Sequence, residues 1–350
     1  MNAVPAVERL NGGAPILTRM LTHPWENRVT FNPACALVEG EDQLVPILNG
    51  LPVDESVRAK LRSHTALVFL LYRAQGSPVA SYDHTRSSIG LAVLSPEMKL
   101  LARLDRPVIL PDTSYDNLGV EDARIMRVGD RHVMTYTAYA TGPDRNIVRI
   151  ALASTTNFLT WEKDGLIDAE FNRIDNKNGM LFEPVQGQPF RMLHRPMEGP
   201  DGMMIHWADA PSLAGPWRDR GVLMRPIPDP EFKDVWTGGG APPLALGDGR
   251  FLALYHIGKR RADGTREYDL GIAVIDPDAT DPVVRRHEPL LRPATEAETR
   301  GDASLGVNNV VFICGAYFWG EHLYFPYAGA DTCVLGGRIR RAELDLFCAA

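Results

Sequence analysis

Short apolar runs, separated by Gly, Pro, Asp and Asn, follow one another along most of the chain, and very few segments have helical spacing. Alternating or continuously apolar runs of this length are typical of β-strands. Four of them share a pattern, a glycine-containing turn followed by an apolar strand that ends in Tyr, His or Arg. These four runs begin at Arg127, Val185, Leu246 and Cys314. The pattern predicts an all-β chain.

The same pattern repeats at a nearly constant interval. The glycines that mark it are 58, 60 and 68 residues apart: Gly129, Gly187, Gly247 and Gly315. A second strand follows the first three copies, and an earlier copy occupies residues 65–95. Five such modules predict a five-bladed β-propeller, in which the ends of the inner strands converge on a central channel.

One segment, residues 39–62, interrupts the strand pattern. Its DESVRAKL part has helical spacing, which predicts a small helical insertion in the first blade. No linker divides the chain, so we expect a single propeller domain over residues 1–350 with an amino-terminal extension at 1–28. That extension and the insertion are the candidate contact elements of a homo-oligomer.

Composition narrows the classes of function. The 350 residues are 45% apolar, enough for a sizeable core, and 37 Lys and Arg against 44 Asp and Glu leave a net charge of −7. A chain with this net negative charge is not expected to bind nucleic acid or an anionic membrane electrostatically. The first 20 residues lack the apolar core of a secretory signal, and no run is long enough to span a membrane, so a cytoplasmic location is expected. The four cysteines show no ligand-like spacing, and we expect reduced thiols and no metal site.

The run Gly119-Val120-Glu121-Asp122-Ala123-Arg124 carries the first candidate chemistry, because it places two carboxylates and a guanidinium at the start of a predicted strand. An acid beside a cation can manage a proton at a glycosidic or phosphate oxygen. The alternative is a solvated turn with a local ion pair between Asp122 and Arg124.

Further short motifs follow in order along the chain. They are Asn32-Pro33-Ala34, Tyr72-Arg73, the RSSIGLA run from Arg86, GVEDARI, YTAY from Tyr136, Asn176-Lys177-Asn178, His194-Arg195-Pro196, GGGAPP from Gly238, Tyr255-His256, Tyr268 and Ala328-Gly329-Ala330-Asp331. Together, over Asn32 to Arg341, they resemble glycoside hydrolase family 130, the mannoside phosphorylases and related β-mannosidases. That family has the five-bladed propeller fold.

The resemblance implies a role for each matched position. Asp122 matches the general acid, which protonates the leaving sugar through a hydroxyl of the bound mannose, and Glu121 is then no catalytic partner. The matched sugar-binding positions are Asn32, Arg73 and Asp331. Arg86 and Tyr139, which lie in the quoted motifs, and Trp236, whose indole can stack on a sugar ring, are further candidate sugar ligands. Alternatives from the residues alone are turn caps at Asn32 and Asp331 and a solvated strand-end cation at Arg73.

The resemblance also implies a phosphate site at Lys177, Arg195, His256 and Tyr268. An inverting phosphorylase uses inorganic phosphate as the nucleophile, so it needs one acid, a cluster of donors and neither a general base nor a cofactor. Taken singly, Lys177 is equally a loop lysine and His256 a core histidine. Trp236 is a departure, because the phosphorylases of the family usually have a lysine there.

The predicted partners are a small oligosaccharide and phosphate. A β-mannosidase that uses water remains the alternative, and its base would come from Glu183, Glu198, Glu231 or Asp234. A non-catalytic carbohydrate-binding propeller is the third hypothesis. The complete anion cluster favours phosphorolysis.

Overall fold

Strands dominate the computed structural model, which describes residues 4–77, 86–302 and 307–349. The strands are β1 (Glu8–Arg9), β2 (Val29–Glu39), β3 (Ala66–Gln75), β4 (Ser87–Leu94), β5 (Leu100–Arg103), β6 (Gly119–Val128), β7 (Arg131–Thr141), β8 (Asn146–Thr155), β9 (Glu162–Leu166), β10 (Asn176–Leu181), β11 (Phe190–Pro196), β12 (Ile205–Ala210), β13 (Arg218–Met224), β14 (Asp234–Gly239), β15 (Leu244–Ala245), β16 (Phe251–Arg260), β17 (Arg266–Ile275), β18 (Val283–Leu291), β19 (Val311–Ile313), β20 (Tyr317–Trp319), β21 (His322–Gly329) and β22 (Cys333–Arg340). The helices are α1 (Glu41–Gly50), α2 (Glu55–Arg62), α3 (Glu296–Thr299) and α4 (Arg341–Ala349). The prediction of a mainly β chain is confirmed.

Hydrogen bonding divides these strands into consecutive antiparallel groups, which we call strand groups one to five. They are β2–β5, β6–β9, β10–β13, β14–β18, and β19–β22 together with β1. A single parallel bridge between Ser87 and Gly119 joins groups one and two into one sheet. Because β1 pairs with β22, the two ends of the described chain meet in group five.

The first strands of most neighbouring groups lie beside one another. Strand β2 contacts β6, β6 contacts β10, β10 contacts β14, and β19 contacts β2, whereas group four meets β19 through β16 and β17. This arrangement brings residues that are far apart in the sequence to a common centre.

A buried ring stands at the same place in the second long strand of every group, and a carboxylate meets its polar tip. The five pairs are Tyr72–Glu26, Tyr136–Asp116, His194–Asp219, Tyr255–Glu288 and Tyr327–Glu298. A cation or a second histidine approaches each carboxylate in turn: Arg103, Lys163, His206, Arg286 and Arg9. The repeat seen in the sequence is therefore also a repeat of buried polar contacts, in which group three differs by having a histidine ring.

The interrupting segment 39–62 is more helical than its sequence indicates, since α1 precedes the predicted helix at α2. Pro46 inside α1 argues against a helix on propensity, but the buried side chains of Leu44, Ile47 and Leu48 anchor it on the core of groups one and two. Helix α4 was not predicted; Leu344 and Phe347 dock it on groups four and five. Among the described residues, none of the helices has the length and apolar character that crossing a bilayer requires.

The glycines that mark the repeat do not all form turns between strands. Gly129 lies in the turn between β6 and β7 with φ of 64°, a conformation that favours glycine. Gly315 does not form the corresponding turn, which falls at Gly320. A Cβ at Gly315 would lie 2.6 Å from the backbone nitrogen of Cys35, so a close chain approach is what calls for glycine there.

Candidate active site

All five strand groups contribute to the walls of one cavity of about 180 Å³. A water molecule takes up about 30 Å³ in the liquid, so the cavity holds a ligand several times that size. It is lined by Asn32, Arg73, Asp122, Lys177, Asn178, Arg195, His256, Arg266, Tyr268, Val307, Val310, Phe312 and Asp331.

Eight of the eleven residues predicted for the site lie in this cavity. They are Asn32, Arg73, Asp122, Lys177, Arg195, His256, Tyr268 and Asp331. The structure thus brings the predicted acid, three predicted sugar ligands and the four predicted phosphate ligands to one place.

A repeated backbone feature presents three of these side chains. In β2, β6 and β10, two residues face a single residue of the neighbouring strand, which is a β-bulge. The first residue of each bulge is Asn32, Asp122 or Asn178, with φ of 44°, 52° and 55°. Asn and Asp are the residues other than glycine that adopt this left-handed conformation most readily. The bulges turn equivalent polar side chains of groups one, two and three toward the cavity.

Asp122 is held by two donors on one oxygen. Its Oδ1 accepts hydrogen bonds from Nδ2 of Asn32 at 2.7 Å and from Nη1 of Arg73 at 3.1 Å. No donor of the described residues bonds to Oδ2, which is left for a ligand. Burial raises the pKa of Asp122, but Arg73, Arg124 and Lys177 outweigh burial and hold it below its ordinary value. The Asp122 carboxyl is therefore ionised as long as no anion is bound in the cavity.

Arg73 links the two neighbouring carboxylates of the Glu121-Asp122 pair. Its Nη2 donates to Oε1 of Glu121 at 2.5 Å, its Nε donates to Ser87, and its guanidinium lies over the ring of Phe31 at 4.6 Å. The solvated-cation alternative for Arg73 does not hold. Glu121 is engaged in fixing this arginine. The alternative of a local ion pair between Asp122 and Arg124 does not hold either, because the Arg124 side chain donates to the backbone carbonyls of Asp122, Gly239 and Gly240.

Asp331 has the opposite electrostatics from Asp122. Burial raises the pKa of its carboxyl to about 7, and the charges of Asp122 and Glu121 act in the same direction against the attraction of Arg73. Two carboxyls of one cavity thus differ in protonation: Asp122 carries the charge and Asp331 holds a proton up to neutral pH. A protonated Asp331 can donate a hydrogen bond to a sugar hydroxyl as well as accept one.

Arg195 is a buried cation without an anion. Its residue is 6% exposed, and no carboxylate of the described chain lies within 4.0 Å of its guanidinium. Nη1 lies 3.1 Å from Nε2 of His256, Nη2 contacts the sulfur of Met197, and Nε has no partner. Burial lowers the pKa of Arg195 to about 10, so it remains charged at neutral pH.

His256 is a partner of Arg195 in this geometry. Because a guanidinium only donates, Nε2 of His256 accepts, and the ring proton belongs on Nδ1. Burial, with Arg195 and Arg124, places the pKa of His256 well below its ordinary value, so the ring is neutral. The positive charge of the predicted anion cluster therefore comes from Lys177 and Arg195, with Tyr268 as a neutral donor beside them.

Three predicted sugar ligands lie outside the cavity. Arg86 is exposed just before β4. The hydroxyl of Tyr139 accepts a hydrogen bond from Nδ2 of Asn146 at 2.8 Å at the far end of β7. Trp236 is 7% exposed and meets Tyr268 edge-on, with ring centroids 5.5 Å apart. The register of β14, β16 and β17 places Trp236, Gly258 and Tyr268 in one row on the same face of the sheet, so the indole packs beside Tyr268 and supports a predicted phosphate ligand.

The four carboxylates considered as a hydrolytic base also lie elsewhere. Glu183 accepts from the backbone nitrogen of Ala245, Glu198 pairs with Arg145, Asp234 pairs with Arg260, and Glu231 does not line the cavity. Among the described residues, the carboxylates that line the cavity are those of Asp122 and Asp331.

The sequence interpretation missed two polar residues of the cavity. Asn178 lies in the quoted Asn176-Lys177-Asn178 motif, and its unpartnered Oδ1 marks it as a ligand position. Arg266, at the start of β17, adds a third cation to the walls, but an exposed arginine beside a turn carries no signal of its own in the sequence.

Comparison with known proteins adds an independent observation. The model of a protein family described as beta-1,4-mannooligosaccharide phosphorylase matches residues 55–347. The chain belongs to glycoside hydrolase family 130.

Two relatives match more than two thirds of the chain. A 1,2-beta-oligomannan phosphorylase of Thermoanaerobacter sp. (strain X514) is 30% identical over 91% of this chain and 93% of its own. A beta-1,2-mannobiose phosphorylase of Listeria innocua is 31% identical over 69% of this chain and 63% of its own. A solved structure of a beta-1,2-mannobiose phosphorylase from Listeria innocua, in complex with beta-1,2-mannobiose, superposes with a TM-score of 0.74 at 22% identity, covering 98% of this chain and 99% of that one. The family 130 fold therefore extends over the whole described chain.

Proposed function

We propose that this family 130 chain is an inverting mannoside phosphorylase. It transfers the terminal β-mannosyl unit of a small oligosaccharide to inorganic phosphate and so forms α-mannose 1-phosphate. Asp122 is the general acid, and phosphate is a co-substrate in an enzyme that uses no cofactor. Because the relatives with 30% and 31% identity are named for β-1,2 linkages, we expect a β-1,2-mannobiose or a β-1,2-oligomannan to be the substrate.

The unpaired guanidinium of Arg195 is the observation that carries this proposal. A buried charge without a counter-ion costs several kcal/mol, roughly, unless a ligand supplies the counter-ion. Lys177 and the hydroxyl of Tyr268 line the same wall, so a dianion would meet two cations and a neutral donor there. A mannosidase that activates water has no need of such a wall.

Other lining residues of the cavity are suited to a mannosyl ring. Asn32, Arg73 and Asp331 offer an amide, a planar donor and a protonated carboxyl, which match the mixed donors and acceptors of sugar hydroxyls. Asp122 lines the same cavity, and we expect its Oδ2 to deliver a proton to the departing oxygen through a sugar hydroxyl.

The acid must be protonated when the glycosidic bond breaks, although Asp122 is ionised in the empty cavity. Phosphate bound at Lys177 and Arg195 offsets the positive charge that lowers the pKa of Asp122. Binding of phosphate therefore raises the pKa of Asp122. Sugar and phosphate both have to be bound before Asp122 transfers its proton.

We further infer that the five strand groups are the blades of a five-bladed propeller around this cavity. The contacts among the first strands, the ring–carboxylate pair repeated in every group and the pairing of β1 with β22 support that arrangement. Closure of the last blade by a strand from the other end of the chain removes one exposed edge.

The decisive assay supplies β-1,2- and β-1,4-linked mannobiose with and without phosphate. Mannose 1-phosphate formed only when phosphate is present is the expected result, with the β-1,2 substrate preferred. Free mannose at equal rates with and without phosphate would establish hydrolysis instead. Binding of mannobiose without any product would indicate a carbohydrate-binding protein.

A further inference from the structure

Group three differs from the other four groups at one buried ring. Tyrosines occupy the equivalent position in groups one, two, four and five, where each hydroxyl contacts a carboxylate. In group three the ring is His194, which is 1% exposed and stacks on Phe171 with ring centroids 3.9 Å apart. Its Nε2 lies 3.5 Å from Oδ1 of Asp219, at the position of the tyrosine hydroxyls, but makes no hydrogen bond to a described residue.

A histidine has a second ring nitrogen, and here that atom has a partner. Nδ1 of His194 lies 3.2 Å from Nδ2 of Asn176. The amide of Asn176 can be oriented in one way only, because its Nδ2 also donates to the carbonyl of Phe171 at 3.0 Å and its Oδ1 accepts the backbone N–H of Arg195 at 3.1 Å. Nδ1 of His194 is therefore the acceptor, and the ring proton is on Nε2.

We propose that His194 is a positioning residue of the anion site, acting through Asn176 on Arg195. The histidine acceptor and the carbonyl of Phe171 together use both N–H groups of the Asn176 amide, and this fixes the amide oxygen against the Arg195 backbone. The inference rests on the proposed role of Arg195 as a phosphate ligand. Lys177, the residue after Asn176, belongs to the same wall, so one buried amide orders the chain at both cations.

The same atoms argue against a metal centre at this point. His194, His206 and Asp219 offer ligand atoms within 4.8 Å of one another. A metal on Nε2 of His194 would have to displace the proton that the Asn176 contact assigns to that atom. Two ligands would then remain, His206 and Asp219, which is fewer than the three or four of protein zinc sites.

Two substitutions of His194 separate positioning from a purely structural role. His194→Tyr restores the ring found in the other groups and keeps a hydroxyl for Asp219 but removes the Nδ1 acceptor. His194→Phe removes both. We expect both variants to raise KM for phosphate about tenfold, as a displaced binding group does, with little change in KM for mannobiose. Only the phenylalanine variant should also lose thermal stability.

The reciprocal substitution Tyr327→His in group five is the matched control, because the next residue, Ala328, is not a cavity ligand. It should leave KM for phosphate unchanged. Equal KM values for phosphate in wild type and His194→Tyr, with a defect only in His194→Phe, would overturn the proposal and leave His194 a structural ring. Stoichiometric zinc binding that is lost in His194→Tyr would overturn it in favour of a metal site.

Calorimetric titration of resting enzyme with inorganic phosphate keeps this test separate from the proposed reaction. If wild type binds phosphate but forms no mannose 1-phosphate, the proposed function fails while the comparison of phosphate affinities still decides the role of His194. If wild type turns over and the two variants bind phosphate as it does, the positioning role fails alone.

Discussion

Nδ2 of Asn32 donates a hydrogen bond of 2.7 Å to Oδ1 of Asp122, and the two residues begin equivalent bulges in the first strands of neighbouring groups. Each has a left-handed backbone, with φ of 44° and 52°. One bulge therefore supplies the predicted acid and the other supplies the donor that holds it. Because Asn and Asp share this backbone preference, either residue can be exchanged for the other without new strain.

Replacement of the proposed acid tests its chemistry with little change in structure. Asp122→Asn keeps an oxygen that can accept from Asn32 and fits the left-handed backbone, so we expect the fold to be retained. Loss of the proton donor should lower kcat by about 10² to 10⁴, the range for general acids. Steady-state kinetics and thermal unfolding of the same preparation measure the two effects. Glu121→Gln is the matched control, since it changes the adjacent carboxylate; if it costs as much kcat as Asp122→Asn, the assignment of the acid is wrong.

Substitution of the buried Arg195 should weaken phosphate binding without lowering the stability of the fold. Arg195→Met removes an unpaired cation and fills its space with an apolar chain, so the free energy of unfolding without phosphate should stay constant or rise. The same change removes charge-assisted hydrogen bonds worth about 1.5 to 3 kcal/mol, which raises KM for phosphate roughly 10- to 100-fold. Denaturant unfolding and initial rates at varied phosphate measure both quantities. Arg220→Met, at an exposed arginine paired with Asp209, controls for loss of charge; a marked loss of stability in Arg195→Met with unchanged KM would make Arg195 a structural residue.

Asp331 predicts a pH dependence of stability. Burial raises the pKa of its carboxyl to about 7 from the ordinary value of 3.8, so the folded state binds this proton more tightly than the unfolded state does. The contribution of the protonated carboxyl is complete below pH 4 and is lost as pH rises through 7, by at most about 4 kcal/mol. Asp331→Asn does not titrate, and asparagine suits the φ of 53° at this position. The free energy of unfolding of Asp331→Asn should therefore increase relative to that of wild type between pH 4 and pH 8. A difference between the two proteins that does not change with pH would refute the assignment.

The family resemblance supplied the site residues, and alternation along the strands explains why several of them meet in the cavity. Arg73, Arg195 and His256 each follow the buried ring of their strand, so the ring faces the core and the next residue faces the centre. An apolar strand that ends in a ring and a polar residue is thus readable from one sequence. Asp331 lies in a turn, where strand alternation predicts no direction for its side chain.

Other features depend on contacts between distant segments and could not be read from the pattern. The lowered pKa that keeps His256 neutral follows from its burial and from Arg195, which lies 61 residues away, and the engagement of Glu121 follows from Arg73. The direction of Trp236 follows from the space above Gly258, where a Cβ would come within 2.1 Å of the indole. Local propensity also gave the wrong answer at α1, since burial of its apolar face offsets Pro46.

Trp236 marks the place where the resemblance to the phosphorylases implies a lysine, and its packing predicts that a lysine will not function there. In this chain the indole covers Gly258 and supports Tyr268 edge-on. Trp236→Lys would leave that space unfilled and bury an amine, so we expect a loss of roughly 3 kcal/mol or more in unfolding free energy and no decrease in KM for phosphate. Gly258→Ala is the companion variant, because it retains the tryptophan but obstructs its ring, and it should disturb KM for phosphate through Tyr268 as well. Denaturant unfolding with phosphate kinetics checks both variants. A stable Trp236→Lys protein with tighter phosphate binding would mean that the position is a cation site after all, and that Arg195 and Lys177 do not complete the anion wall.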